Sequence, residues 1–413
     1  MVVAVKFPLP RDFFRCPDIS PKELEYYTRL SHSNAMDVAL HAQLDGGAIE
    51  WTLDVEEPGL KMYAGFDPAA PPEVSTYCSV TDVAGTLDEA ASLFRGEGED
   101  PFRMGNVNAL DNHILYTFAA PSPENPRHSI HARWIVLETP IKGLGVINNR
   151  DICILESHHD VEVNNHHGWV RSVKSIDMTC CPPLDNILGL VRASIYRSGH
   201  IVVETDRPGI LRVTHFVQID LKLNIPSWMR RIGLRARCRD LINIDLFLRE
   251  LRLSQGLFLS TEELLPKESR IACPICNQNF WILNTKTHCR KCGEVVCRNC
   301  SKKWTITLMG TSVSLRICTS CSLASSTPMA SRKPTSTTTT VSCSPRFQDS
   351  LACGRFIVND EPVVRIRAHT ADDTELIMEA SSTRNVQHST RHRPTSSRHR
   401  QTEDDDDDAG WFV

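Results

Sequence analysis

Between residues 211 and 220 the chain alternates at every step, with Leu211, Val213, His215, Val217 and Ile219 set against Arg212, Thr214, Phe216, Gln218 and Asp220. A period of two is what a strand with one face in water produces. Shorter stretches of the same texture run from Ile130 to Leu137, Asp151 to Glu156, Trp169 to Ile176 and Ile201 to Thr205, separated by Gly, Pro or Asn. Together they predict an antiparallel sheet. Helical spacing brackets it. Ser20 is placed to cap a turn that carries Pro21 and Glu23, followed by Leu24, Tyr27 and Leu30. After Pro226, with Ser227 as candidate cap, Ile232, Ala236, Leu241, Ile244, Leu248 and Leu251 recur among arginines and predict one long amphipathic helix. A curved sheet with that helix against its concave face encloses an apolar space, packed or hollow.

The texture divides the 413 residues into an arm at 1–19, a globular region at 20–252, a linker at 253–265, a cysteine-rich segment at 266–323 and a tail at 324–413. The tail holds the run Thr335 to Thr340, an arginine and histidine segment from Arg391 to Arg400 and the acidic run Asp404 to Asp408. Such composition buries too little apolar surface to offset chain entropy, so disorder is expected, with protein partners as its natural ligands. The short apolar stretch from Phe356 to Ile366 is too isolated to alter that expectation. A net charge of -4 supplies no global field for nucleic acid, and none is expected as a partner. Pro8, Pro10, Arg11, Asp12 and Arg15 interrupt any signal sequence, and no run of eighteen apolar residues crosses a bilayer, so membrane contact is expected to be peripheral. Scattered cysteines outside the rich segment suit a reducing cytosol.

Arg150 and Asp151 opening a strand, Gly168-Trp169-Val170-Arg171, the Tyr196 to Glu204 segment with Ser198-Gly199, and the closing basic helix together resemble the START-like, helix-grip lipid-binding fold. The resemblance covers about 230 residues. It implies an α+β domain whose sheet grips the C-terminal helix over a lipid-sized cavity. Arg150 and Asp151 are read as an ion pair, within the sheet or facing that cavity.

Eight cysteines between residues 273 and 321 form four Cys-x2-Cys pairs, Cys273 and Cys276, Cys289 and Cys292, Cys297 and Cys300, Cys318 and Cys321. Each pair places two thiolates on one tight turn, half of a tetrahedral zinc site, so four pairs predict two Zn2+ ions rather than disulfides or inert buried thiols. A RING finger needs a histidine ligand in mid-series, absent here, and a plain ribbon leaves four thiolates unused. The segment Lys286-Thr287-His288-Cys289-Arg290-Lys291-Cys292-Gly293, with Arg316-Ile317-Cys318 at the far end, resembles the FYVE finger. The resemblance implies cross-braced sites, Cys273, Cys276, Cys297 and Cys300 on one ion and Cys289, Cys292, Cys318 and Cys321 on the other. It also implies recognition of phosphatidylinositol 3-phosphate on endosomal membranes through Lys286, His288, Arg290 and Arg316. Thr285 and Thr287 depart from the family's basic and histidine positions, and the upstream Trp-x-x-Asp element is missing.

Just before the basic segment, Trp281, Ile282 and Leu283 are too many large apolar groups to bury in so small a domain, and they predict insertion into a membrane interface. Phe280 is expected inside the finger. His158, His159, His166 and His167 with Asp160 lack helical ligand spacing and read as a loop or strand edge around Asn164 and Asn165. No nucleophile elbow or phosphate-cradling glycine loop occurs, so no enzyme is expected. The sequence therefore points to a cytoplasmic, peripheral membrane adaptor that binds phosphoinositide and takes a lipid in its START-like cavity. The alternative is a zinc-braced protein-interaction or RING-like ubiquitin-ligase module.

Overall fold

The computed structural model describes residues 6–95, 109–138, 148–222, 227–281, 285–308, 310–324 and 364–366. Helix α1 (Pro21–His41) starts where the sequence places it, because the Ser20 hydroxyl accepts the Glu23 amide while the Glu23 carboxylate accepts the Ser20 amide at 2.9 Å. Strands β1 (Glu50–Glu57), β2 (Leu60–Phe66) and β3 (Ser75–Ala84) lead to α2 (Leu87–Arg95). Then come β4 (Ala109–Ala119), β5 (Ser129–Leu137), β6 (Arg150–Val163) and β7 (His166–Ser175), followed by the short α3 (Asp185–Leu188) and β8 (Val191–Arg192). Strands β9 (Ser194–Glu204) and β10 (Ile210–Asp220) precede α4 (Ser227–Arg239) and α5 (Ile244–Ser254), which a 3-10 turn at Asp240–Asn243 separates. The expected helix is thus two helices in series.

Main sheet order is β1-β2-β3-β10-β9-β7-β6-β5-β4, antiparallel throughout, with β8 added to β6 in parallel. The strand β10 has the alternation that its sequence announces, but both of its faces are covered. Ile152, Ile154, Trp169, Val202, Val213 and Val217 face inward beneath α2, α4 and α5, the last two elements contributing Leu234, Cys238, Ile244 and Leu248. The opposite, outer face carries Val161, Val170, Ile201 and Phe216 against Ala35, Val38 and Ala39 of α1. Gly199 permits this approach, since a Cβ there would fall 2.2 Å from the Arg171 carbonyl oxygen and 2.8 Å from Val38. The α+β architecture expected from the sequence, an antiparallel sheet with a C-terminal helical segment on one face, is the one observed.

Four expectations need correction. Arg150 and Asp151 do not pair, because neighbours in a strand point to opposite faces. Asp151 instead accepts from Arg192 at 2.8 Å and from the Trp134 indole at 2.8 Å, and Arg150 donates to the Asn148, Leu221 and Lys222 carbonyls. His158 and His159 are buried inside β6, and the turn lies beyond them at Asn164 and Asn165, both with positive φ. Part of the expected disordered tail is structured: β15 (Val364–Ile366) pairs with Val161–Val163 of β6, which projects beyond the end of β5, and Val364 is buried. The rest of the tail lies outside the described residues. Lastly, the space under α4 is closely packed and leaves a cavity of only about 20 Å³.

Polar groups nonetheless interrupt the inner face. Burial, reinforced by Arg237 and Arg171, pushes His215 down to about 3, and burial beside His215 holds His200 well below its ordinary value. Glu156 is raised by burial, but Arg171 and Arg133 outweigh it and hold the carboxyl well below the usual range. Unfolded histidine protonates near 6.5, whereas folded His215 does so near 3, so protons favour unfolding between these values. Stability is accordingly expected in full above about pH 6.5 and to fall below it, by up to about 1.4 kcal/mol per pH unit for each buried imidazole. Urea midpoints of the chain between about pH 7.5 and 5.5, the span that brackets an ordinary histidine, check this, and His215→Phe should flatten the slope.

Candidate metal centre and membrane-facing surface

The cysteine-rich segment folds into two small hairpins. Strand β11 (Lys286–His288) pairs with β12 (Val295–Cys297), and β13 (Ser301–Leu308) pairs with β14 (Thr311–Cys318), after which α6 (Thr319–Ala324) begins. The first two cysteine pairs share one turn geometry. The Cys273 carbonyl accepts the Asn277 amide at 2.8 Å, and the Cys289 carbonyl accepts the Gly293 amide at 2.8 Å. Each turn ends in the left-handed region, at φ 56 for Asn277 and φ 77 for Gly293, which suits asparagine and glycine.

These turns bring together Cys273, Cys276, Cys297 and Cys300 in one group and Cys289, Cys292, Cys318 and Cys321 in the other, each with all sulfurs within 4.8 Å. The Cys276 and Cys297 sulfurs are 3.8 Å apart. A tetrahedral zinc with Zn–S bonds of about 2.3 Å requires sulfur separations of about 3.8 Å, so the residues fit the ion. Backbone amides also point at sulfur, from Cys297 to Cys273 at 3.4 Å and from Cys318 to Cys289 at 3.2 Å. Such donors favour thiolates, and bound Zn2+ would supply the charge that lets four of them coexist. The two-zinc expectation and its cross-bracing are met.

Around the metal groups, Val296, Trp304, Ile306 and Ile317 form a small core that Leu253 of α5 completes. Residues 253–265 therefore do not hang free: Leu259 donates its amide to the Arg290 carbonyl at 2.9 Å and Leu265 donates to that of Gly293 at 3.2 Å.

This upstream segment runs beside the basic residues. Lys286 donates to the Lys267 carbonyl at 2.8 Å, His288 Nε2 to the Leu265 carbonyl at 2.7 Å, and Arg290 to the Thr261 hydroxyl at 3.4 Å. Arg316 lies apart from that segment and donates to the Ser301 carbonyl and hydroxyl at 3.1 and 3.2 Å. Lys286 and His288, two apart in β11, share a side, and the Arg290 amide bonds the Arg316 carbonyl at 2.9 Å, which brings the strip to the end of β14. None of the four forms an ion pair among the described residues, although Glu263 acts on Arg290 from a distance, in contrast to Arg270, which a bidentate pair with Glu294 occupies at 2.8 and 3.1 Å.

Phe280 is half-buried in the finger, with the Lys286 ammonium 5.4 Å from its ring centre. Trp281 beside it is 75% exposed. Ile282 and Leu283 lie outside the described residues. Sequence reasoning missed Ile271, which is 83% exposed and whose carbonyl accepts the Phe280 amide, so that it stands next to Trp281 at the same edge. An apolar residue ten positions before the expected tip carries no periodic signal; only the bridge between Ala272 and Asn279 brings it there.

Residues 263–327 match the FYVE zinc finger family, so the chain carries a FYVE zinc finger behind its α+β domain. A curated protein of Dictyostelium discoideum, "Probable inactive serine/threonine-protein kinase slob1", is 34% identical over 70 residues, 16% of this chain and 12% of that protein. The chain thus spans about an eighth of that relative. The solved structure of human StAR-related lipid transfer protein 5 is 16% identical and covers 55% of this chain and 98% of its own, with a TM-score of 0.43. The LM5-1 FYVE domain from Leishmania major is 32% identical over 16% of this chain and 81% of its own, with a TM-score of 0.14.

Metal analysis is expected to find two zinc ions per chain. Stripping them, or Cys289→Ser, should unfold the finger at a cost on the order of 10 kcal/mol per site, read as a red shift when buried Trp304 meets water.

Proposed function

We propose that the chain is a non-enzymatic peripheral membrane adaptor that binds a phosphoinositide, phosphatidylinositol 3-phosphate, through its FYVE finger. The observation that carries this reading is the nearness of exposed Trp281, through Phe280 and Lys286, to a strip of basic residues that forms no ion pair among the described residues, Glu263 acting on Arg290 only at a distance. A doubly charged phosphate needs convergent cationic donors, and Arg290, whose side chain makes one long contact to an exposed hydroxyl among the described residues, has most of its fork to offer. Lys286, His288 and Arg316 flank it. Trp281, with Ile271 beside it, supplies the amphipathic surface that an interface accepts, as do Ile282 and Leu283 by their chemistry. No helix among the described residues is long and apolar enough to cross a membrane, so attachment rests on this surface. Endosomal membranes in the cytoplasm are the natural site for that headgroup. The START-like domain is carried along and takes a lipid on its inner face.

Flotation of the zinc-loaded chain with liposomes tests this. Vesicles containing phosphatidylinositol 3-phosphate should capture the chain at least about tenfold better than vesicles without it, a charged hydrogen bond being worth about 1.5–3 kcal/mol. Arg290→Ala and Trp281→Ala should each lower capture about tenfold. Equal capture by both vesicles would overturn the reading.

A further inference from the structure

The register of the sheet places one polar residue from each of six neighbouring strands in a single row across the inner face. Ser129 of β5 stands opposite His158, His158 opposite Arg171, Arg171 opposite His200, His200 opposite His215, and His215 opposite Ser79 of β3. Residues paired across strands project to the same side, so the row runs beneath the helices that cover this face. It is deeply buried: Arg171 is 6% exposed and His200 3%. The two imidazoles stack with ring centres 4.2 Å apart, and the Nδ1 of His200 has no hydrogen-bond partner among the described residues.

Charge in this row is out of balance. Arg171 and Arg133 share one carboxylate, Glu156, which His158 also approaches at 3.4 Å. Arg237, reaching down from α4, lines the same cavity as Arg171, His200 and His215. Among the described residues Arg237 forms no ion pair; Asp240, one turn on, acts on it without pairing. Three guanidinium groups thus face one paired carboxylate in a place where apolar side chains would pack more cheaply.

We propose that the inner face of this domain takes an amphiphile with an anionic head, a phosphate monoester or a carboxylate, held between Arg171 and Arg237 with His200 at its side. The proposal rests on the reading of the domain as lipid-binding and narrows it to one charge class. The anion supplies the missing counter-charge, and two guanidinium forks can hold it by paired bonds. The present cavity of about 20 Å³ has room for about one water, so an acyl chain enters only when α4 lifts. Two ion pairs pin the helix and must open with it: Arg239 on Glu57, part-exposed and of the kind that adds little to stability, and Arg235, which holds Asp54 through two bonds of 2.6 and 2.5 Å.

Titrations use the full zinc-loaded chain carrying Arg290→Ala, so that the finger contributes little, with probes kept below their micelle concentrations. The probes are oleate, oleoyl lysophosphatidic acid, oleoyl lysophosphatidylcholine, cholesterol and inorganic phosphate, read by calorimetry. Truncating Arg171 removes a buried partner of Glu156 and leaves that carboxylate to Arg133 and His158, which endangers the fold, so Arg237→Leu on the covering helix is the deciding variant. The two anionic amphiphiles should bind at least about tenfold tighter, about 1.4 kcal/mol, than the zwitterionic and neutral ones. Arg237→Leu should erase that preference. Equal binding of all four, or a preference that survives Arg237→Leu, overturns the anion site and leaves the lipid-binding reading standing. Silence from all five probes overturns both. Phosphate binding as tightly as its acylated form supports the anion site with a free anion as occupant, and removes the lipid reading.

Discussion

A single helix completes two cores. On one side of α5, Ile244 and Leu248 close the inner face of the sheet; on the other, Leu253 fills the centre of the finger among the zinc-ligand cysteines. Each of these side chains contributes about 1.5–3 kcal/mol by leaving water, and neither core retains that term if the helix moves away. Arg252 locks the arrangement. It is buried and held by Glu89 of α2 through two bonds of 2.8 Å, with a third to the Ala84 carbonyl at 2.8 Å. Removing one partner of such a pair costs about 3–5 kcal/mol because the other is left charged and buried. The Thr307 amide then bonds the Ser254 hydroxyl at 3.1 Å, so β13 is fastened to the last turn of the same helix.

Two places in this frame put charge where burial opposes it. In the finger, each four-thiolate group carries a formal -2 with bound zinc and needs the amides of Cys297, Cys300, Cys318 and Cys321, which point at sulfur at 3.2 to 3.4 Å. In the sheet, Glu156 is outnumbered by arginines and imidazoles that could have been valines. Local departures from apolar packing cluster at sites of function, because stability alone would remove them. The two departures lie on either side of α5.

How much of this was legible depends on what each residue has to satisfy. Metal ligation is a matter of covalent reach, so Cys-x2-Cys spacing alone announced the eight ligands, and glycine at 293 followed from a turn that demands positive φ. The capped start of α1 was equally plain, since Ser20 and Glu23 need only each other. Alternation exposed β10 because its strong apolar side faces one core. It missed β3, where Tyr77 and Cys78, adjacent and therefore on opposite faces, are both buried and leave no wet side to read. It also misjudged the histidines. His158 and His159 read as a loop or strand edge until the register seats them inside the sheet, His158 in line with Arg171 and His200, and register is a long-range property that no single strand encodes. Val364 was lost for the same reason: a short strand such as Val364-Arg365-Ile366 in a polar tail means nothing until the free end of β6 gives it an edge to join.

The basic strip of the finger shows why departures from a family pattern need not abolish its chemistry. Thr287 cannot donate as a histidine would, yet Lys286, His288 and Arg290 remain, and their partners here are carbonyls and a hydroxyl from residues 261–267. Those acceptors are neutral. Exchanging them for phosphate oxygens gives each cationic donor an ionised acceptor and a shorter, stronger bond, so an anion competes with the chain's own backbone on favourable terms. Arg270 has no such exchange to make, because Glu294 already gives it a carboxylate. Selection of the cations that meet a headgroup is therefore decided less by which basic residues the finger possesses than by which of them its own carboxylates leave uncommitted.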